Sequence, residues 1–242
     1  MIADQAERTV MIKSAHEVLD ATESRYEAGE EGPGPHVHHS HTDSFYVLGG
    51  ELLFGLGPEG ALEIPAPAGS FVLVPPNVVH TFRNASGARA RYLNFHAPSG
   101  GFAAYLRNEP TEFDNEDPPP DGGRPVSDAV VSLSGDGERF VRDDRTVTIL
   151  AEVPQLSALE IAFDPGFVVD PHVHDDHLDS FFVLEGEVEL TVGQDVVSAG
   201  PGTWLAAPSR SRHGFRNGGS GRARVLNVHA PDAGFAESIR RR

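Results

Sequence analysis

The sequence contains no cysteine, so neither disulfides nor thiolate ligands are available, and any bound metal must be held by nitrogen and oxygen. Zinc-finger and iron–sulfur chemistry are excluded with it. Basic residues are scarce as well: 19 Lys and Arg stand against 36 Asp and Glu, for a formal net charge of -17. Such a chain repels phosphate backbones and anionic lipid surfaces, so no nucleic-acid partner is expected and the acidity reads as a solvated surface. No stretch reaches the ~18 uncharged apolar residues that a membrane span needs. The opening MIADQAERTV lacks the basic-then-apolar layout of a signal peptide. No membrane partner and a cytoplasmic location are therefore the expectations. A Gly-rich phosphate loop, a nucleotide fingerprint and a competing Ser-His-Asp arrangement are also missing.

What is present is turn chemistry. The 26 Gly and 19 Pro fall between short alternating or β-branched runs, at 44–48, 70–74, 91–95, 181–184, 188–192 and 223–228. This is the punctuation of strands and turns. Helix is expected only near 101–107 and at the C-terminus.

An internal duplication organises the chain. The segment from His36 to Glu51, HVHHSHTDSFYVLGGE, returns from His172 to Glu187 as HVHDDHLDSFFVLEGE, an offset of 136. Gly69, Pro75, His80, Asn84, Asn94, His96 and Phe102 return as Gly202, Pro208, His213, Asn217, Asn227, His229 and Phe235, an offset of 133. Two copies of one unit at fixed spacing indicate a duplicated domain. The acidic, Pro- and Gly-rich stretch between them suits a solvated linker. The expected layout is a first domain over 1–110, a linker over 111–126 and a second domain over 127–242. Strands in the lead-in to the second copy are candidates to complete the first domain.

Alternate side chains of a strand share a face, so His36 and His38 point together, as do His172 and His174. Asp43 and Asp179 follow after a short polar turn, where a hairpin return brings a carboxylate back to the same point. His80 and His213 each follow a Gly-x5-Pro run that reads as a strand entering a tight turn. Three imidazoles and one carboxylate per copy suit a divalent transition metal, one per domain, with Fe, Mn, Ni, Cu and Zn all compatible. His41 and His177, two residues before each Asp, either replace it as fourth ligand or support it. His96 and His229 read first as a structural polar pair with the neighbouring Asn, and otherwise as further support for the metal.

These segments resemble the two motifs of the cupin superfamily, G-x5-H-x-H-x3-4-E-x6-G and G-x5-P-x-G-x2-H-x3-N. The second copy matches through Gly166, His172, His174, Asp179 and Gly186, then Gly202, Pro208, His213 and Asn217. The first matches through His36, His38, Asp43 and Gly50, then Gly69, Pro75, His80 and Asn84. It departs in having six residues between Gly29 and His36, and both copies carry Asp where the family usually has Glu. Asn77 and Arg210 replace the turn glycine. Because Arg tolerates a left-handed conformation poorly, the second turn is expected to differ from the first. The resemblance implies an all-β bicupin, two antiparallel jelly-roll barrels in tandem with a short helix after each, and closure that protects the strand edges.

An apolar substrate cavity is expected from Phe45, Val47, Phe54, Phe71 and Phe82 in the first copy. Phe181, Val183, Trp204 and Phe215 are the second-copy counterparts, with core packing as the blander reading of each. The similarity to quercetin 2,3-dioxygenase-like bicupins implies a metal-dependent dioxygenase acting on a small aromatic or enolisable substrate. A non-oxidative isomerase, cyclase or decarboxylase and a metal-binding module without catalysis are the alternatives. The expected partner is a small molecule, and a homodimer stays open.

Overall fold

A computed structural model describes residues 3–5 and 8–241. The chain divides into two compact units, Met1–Asp136 and Gly137–Arg242. The first contains strands β1 (Ala3–Gln5), β2 (Arg8–His16), β3 (Leu19–Tyr26), β4 (Thr42–Gly49), β5 (Glu51–Leu56), β6 (Leu62–Pro67), β7 (Phe71–Val74), β8 (His80–Arg83), β9 (Ala90–Ala97) and β10 (Val130–Ser132). They form a seven-stranded sheet in the order β1-β2-β3-β9-β4-β7-β10 and a three-stranded sheet, β6-β5-β8. The second unit contains β11 (Glu138–Val141), β12 (Arg145–Val153), β13 (Leu156–Phe163), β14 (Val168–His172), β15 (Leu178–Glu185), β16 (Val188–Val192), β17 (Asp195–Ala199), β18 (Trp204–Ala207), β19 (His213–Asn217) and β20 (Ala223–Ala230). Its sheets run β11-β12-β13-β20-β15-β18 and β14-β19-β16-β17. All strand pairings are antiparallel, as a jelly roll requires. Short helices α1 (Phe102–Leu106) and α2 (Phe235–Arg240) follow the last long strand of each copy, where they were expected.

Each core lies between the two sheets of its unit. Phe45 on β4 meets Phe54 on β5 and Phe82 on β8, with ring centroids 5.0 and 4.7 Å away. Phe181 on β15 meets Phe215 on β19 at 4.9 Å. Burying each such ring contributes about 1.5–3 kcal/mol. The turn after the first metal motif admits only glycine: Gly50 has φ +72° and a Cβ there would stand 2.5 Å from the Arg89 carbonyl oxygen. Gly186 repeats this with φ +75° and 2.7 Å to the Arg222 carbonyl oxygen.

Three expectations are corrected. The boundary falls after Asp136, not after 126, because β10 pairs with β7 and completes the first sheet. The segment taken as a solvated linker is bound to the first unit, since Val37 and Glu116 exchange backbone hydrogen bonds of 3.0 Å and the Arg124 amide donates to the Asn77 carbonyl at 2.7 Å. The two motif turns also do not differ: Asn77 has φ +68° and Arg210 φ +64°. A shared hydrogen bond imposes this conformation, from the Asn77 amide to the His38 carbonyl at 2.7 Å and from the Arg210 amide to the His174 carbonyl at 2.6 Å. The fold overrides the residue preference at a cost of about 1 kcal/mol.

Candidate metal centres

The sheets bring the expected ligands together from different strands. His36 and His80 face each other across an antiparallel bridge, exchanging backbone hydrogen bonds of 3.0 Å. Their rings stand 4.1 Å apart. His172 and His213 are paired likewise, at 4.7 Å between rings. His172 ends β14, but His174, expected on the same strand, lies beyond it; His36 and His38 lie outside the regular strands, His36 held by its bridge to His80 and His38 by the Asn77 amide and the Asp114 carbonyl. The carboxylates come from the larger sheets, where Asp43 is registered between Val74 and His96, and Asp179 between Ala207 and His229.

One donor atom from each of His36, His38, Asp43 and His80 lies within 4.8 Å of all the others, and the same holds for His172, His174, Asp179 and His213. Asp43 Oδ2 is 3.2 Å from His80 Nε2 and 3.6 Å from His38 Nε2. Asp179 Oδ2 is 3.3 Å from His213 Nε2 and 3.8 Å from His174 Nε2. Backbone carbonyls fix the ring orientations. His36 Nδ1 donates to Gly34 at 2.9 Å, His80 Nδ1 to Val78 at 3.0 Å and His38 Nδ1 to Asp114 at 2.6 Å. In the second unit His172 Nδ1 donates to Asp170 and His213 Nδ1 to Ser211, each at 2.9 Å. A protonated Nδ1 leaves the Nε2 lone pair directed at its neighbours, the state a metal ligand needs.

The residues fit a divalent cation on two observations. His38 Nε2 is buried and has no hydrogen-bond partner, an arrangement that costs about 1–3 kcal/mol unless something occupies it. His172 Nε2 and His174 Nε2 lie 3.0 Å apart, a contact that a shared cation satisfies better than two imidazoles do alone. The electrostatics agree. Burial, then His80, holds His36 down to about 4, and burial, then His177, holds His174 down to about 4, so both are neutral donors at neutral pH. Burial pushes the Asp43 carboxyl up, but His96, His38 and His80 more than reverse it and keep it well below the usual range. Asp179 is depressed in the same way, against burial, by His229 and His213. Burial also opposes the raised values of His38 and His213, which their Asp partners produce.

The other repeated residues take different places. Asn94 Nδ2 donates to Asp43 Oδ1, and His96 Nε2 lies 3.3 Å from that oxygen. Asn227 Nδ2 donates to Asp179 Oδ1 at 2.7 Å, and His229 Nε2 lies 3.1 Å from it. One carboxylate oxygen is thus held by Asn and His while the other faces the imidazoles. His41 stands outside the four-donor group, stacked on His38 at 4.3 Å and His96 at 4.9 Å and held down to about 3 by burial and then His96. It forms a separate grouping with His38 and Asp114. His177 packs on His174 at 4.1 Å and His229 at 4.8 Å, also outside its four-donor group.

The expected cavity residues are mostly core. A cavity of about 240 Å³ opens on His36, His38 and Asp43, and of the five residues expected only Phe82 lines it. One of about 300 Å³ opens on His172, His174 and Asp179, lined by Phe181 and Phe215. Phe45, Val47, Phe54 and Val183 are packed into the cores, Phe71 packs on Phe95, and half-buried Trp204 stands apart from the lining. Alternation identifies an inward face, but depth along the strand decides between cavity and core.

Sequence reasoning missed the segment 113–115. Phe113 packs on His38, His41 and His96 with centroids 5.5, 5.5 and 5.4 Å away, and Asp114 holds both His38 and the turn at His39 and Ser40. The available signal was one aromatic residue inside an acidic, proline-rich stretch. This strap makes the centres unlike: the His38 side chain is 3% exposed and its counterpart His174 27%.

A family model described as the cupin domain matches the chain twice, over residues 22–96 and 159–229. The chain belongs to the cupin family, as a bicupin. This bicupin is similar to quercetin 2,3-dioxygenase of Bacillus subtilis (strain 168), at 22% identity over 75% of this chain and 64% of the relative, so it spans just under two thirds of that protein. Among solved structures, oxalate decarboxylase of Bacillus subtilis, with its Mn(II) centres, superposes with a TM-score of 0.63 at 14% identity, covering 89% of this chain and 69% of that one. Ylba of E. coli gives 0.67 at 11% identity, covering 93% and 83%. These structural likenesses establish the fold. No helix among the described residues is long and apolar enough to cross a membrane.

Proposed function

We propose that this bicupin is a metal-dependent dioxygenase acting on a small aromatic or enolisable organic molecule, with one divalent ion held by His36, His38, Asp43 and His80 and one by His172, His174, Asp179 and His213. The observation that carries the reading is a cluster of three imidazoles and one carboxylate, of which two imidazoles and the carboxylate reach the wall of a largely apolar cavity, twice in one chain. The likeness to quercetin 2,3-dioxygenase supports the oxidative chemistry over the non-oxidative alternatives.

A transition metal in such a donor set supplies Lewis acidity toward a substrate oxygen and, when redox-active, electron transfer with dioxygen. The chain's own residues do the rest. Asp43 and Asp179 each offset one unit of a divalent charge and leave a net positive site that favours an ionised oxygen donor. Asn94 with His96, and Asn227 with His229, hold those carboxylates in place. Phe82 and Phe113 in the first cavity, with Phe181 and Phe215 in the second, exclude water and present flat faces to a planar substrate.

The test is reconstitution of metal-free protein with Fe, Mn, Ni, Cu and Zn separately. Elemental analysis and oxygen-electrode assays on quercetin, catechols and β-diketones follow. Dioxygen uptake matched to substrate loss supports the proposal. Turnover that persists without dioxygen replaces it with a non-oxidative isomerase, cyclase or decarboxylase. Tight metal binding with no turnover across the panel replaces it with a metal-binding module.

A further inference from the structure

The second cavity carries a cation. Among its lining residues stands Arg145, at the start of β12. The remaining wall of the second cavity is apolar apart from the metal-ligand groups, Asn227 and His229, with Val147, Ile161, Phe181 and Ile239 as examples. Where the second copy has Ile161 the first has Ser24, each lining its own cavity.

Arg145 is oriented but weakly compensated. Its guanidinium carbon lies 5.4 Å over the ring of buried Phe167, which restrains it at the wall. Its ion pair is with the adjacent Asp144, Nη1 to Oδ1 at 2.9 Å, and that carboxylate is 52% exposed. A solvated pair of chain neighbours is worth little, so Asp144 is readily displaced or supplemented by a better-shielded anion. The guanidinium fork has further N–H donors and matches a carboxylate geometrically. In a chain of formal net charge -17, a cation in an apolar cavity is a local reversal of the surrounding field.

We infer that the second cavity takes a small organic anion whose carboxylate pairs with Arg145 while its other end faces His172, His174 and Asp179. This rests on the reading of that cluster as a metal centre. A divalent ion with one carboxylate and neutral imidazoles carries net charge of about +1, and Arg145 adds another, so the site suits a ligand with two oxygen functions joined by an apolar body.

The experiment uses the full chain loaded with cobalt(II) and two probes of nearly equal size, para-carboxybenzohydroxamate and para-carbamoylbenzohydroxamate. The hydroxamate engages the metal in both, so their difference isolates the carboxylate. Calorimetric titration in an Asp43→Ala background, which leaves the second centre to be read alone, is expected to show the carboxylate probe preferred by roughly 10–100-fold, as a charge-assisted bidentate contact gives. Arg145→Met and Arg145→Gln abolish that preference without changing affinity for the neutral probe, and Arg145→Lys restores part of it. The inference is overturned if the neutral probe binds but no carboxylate preference exists, or if the preference survives in Arg145→Met and Arg145→Gln. If neither probe binds and cobalt(II) is not retained, the metal-centre reading falls and takes this one with it.

Discussion

Replacing Asp114 by alanine tests whether the strap, and not only the strand framework, prepares the first centre. The Asp114 carboxylate accepts from the Ser40 amide at 2.8 Å, from the His39 amide at 3.1 Å and from Ser40 Oγ, while its backbone carbonyl takes the His38 Nδ1 proton at 2.6 Å. The substitution removes three charge-assisted hydrogen bonds and frees the carbonyl that orients His38. Each such bond contributes about 1.5 kcal/mol or more when shielded, but the Asp114 side chain is 19% exposed and water replaces part of the loss. A net destabilisation of about 2 kcal/mol follows, or about 4–8 °C in Tm for a chain of this size. Alanine keeps that carbonyl but loses the bonds that position it, and the looser restraint on the His38 ring is expected to weaken metal binding at the first centre by about 10–100-fold. The second centre is an internal control, since His174 has no such strap among the described residues. Calorimetric titration of the metal-free variant reads both centres, and the same titration in an Asp179→Ala background reads the first alone. An unchanged first-centre affinity alongside a lowered Tm, or equal weakening of both centres, refutes the reasoning.

Three further outcomes are expected. Asp43→Ala and Asp179→Ala abolish tight metal binding each at its own centre, whereas His41→Ala and His177→Ala weaken it by only about 10–100-fold, measured as metal retained per chain after dialysis; the reverse order means His41 and His177 are the ligands. Arg210→Asn relieves the left-handed strain at φ +64° and raises stability by about 0.5–1 kcal/mol with metal content unchanged, and a lower denaturation midpoint contradicts this. Metal-free protein is destabilised by acid: His36, His174 and His41 bind fewer protons folded than unfolded, so their contribution is full above about 6.5 and is lost as pH falls toward 4. The raised His38 and His213 act oppositely, which reduces the slope. Urea denaturation in the presence of a chelator at about pH 5 and about pH 7 checks the sign, and a higher midpoint at the lower pH refutes it.

The sequence by itself determined the architecture and which side chains gather into the two candidate metal clusters. A repeat of this length leaves a single unit to interpret, and its alternating runs, Gly50 and Gly186 in their turns, and the His-x-His pairs are all local signals. Asp43 and Asp179 needed no tertiary information either, because a residue at the start of a strand just after a short turn returns to the same end of the sheet. The tertiary structure decided everything that depends on what lies across the sheets. The 113–115 strap was illegible because its composition describes a solvated chain, and only packing against His38 and His41 buries it. Arg210 was misjudged because an intrinsic φ preference of about 1 kcal/mol yields to a hydrogen bond that the fold imposes. Phe45, Phe54 and Phe71, expected in the cavity, proved to be core, while Phe82, Phe181 and Phe215 line it. The difference between the centres, one strapped and one open, is likewise a matter of long-range contact: the two copies carry nearly the same motif, and their surroundings make them unlike.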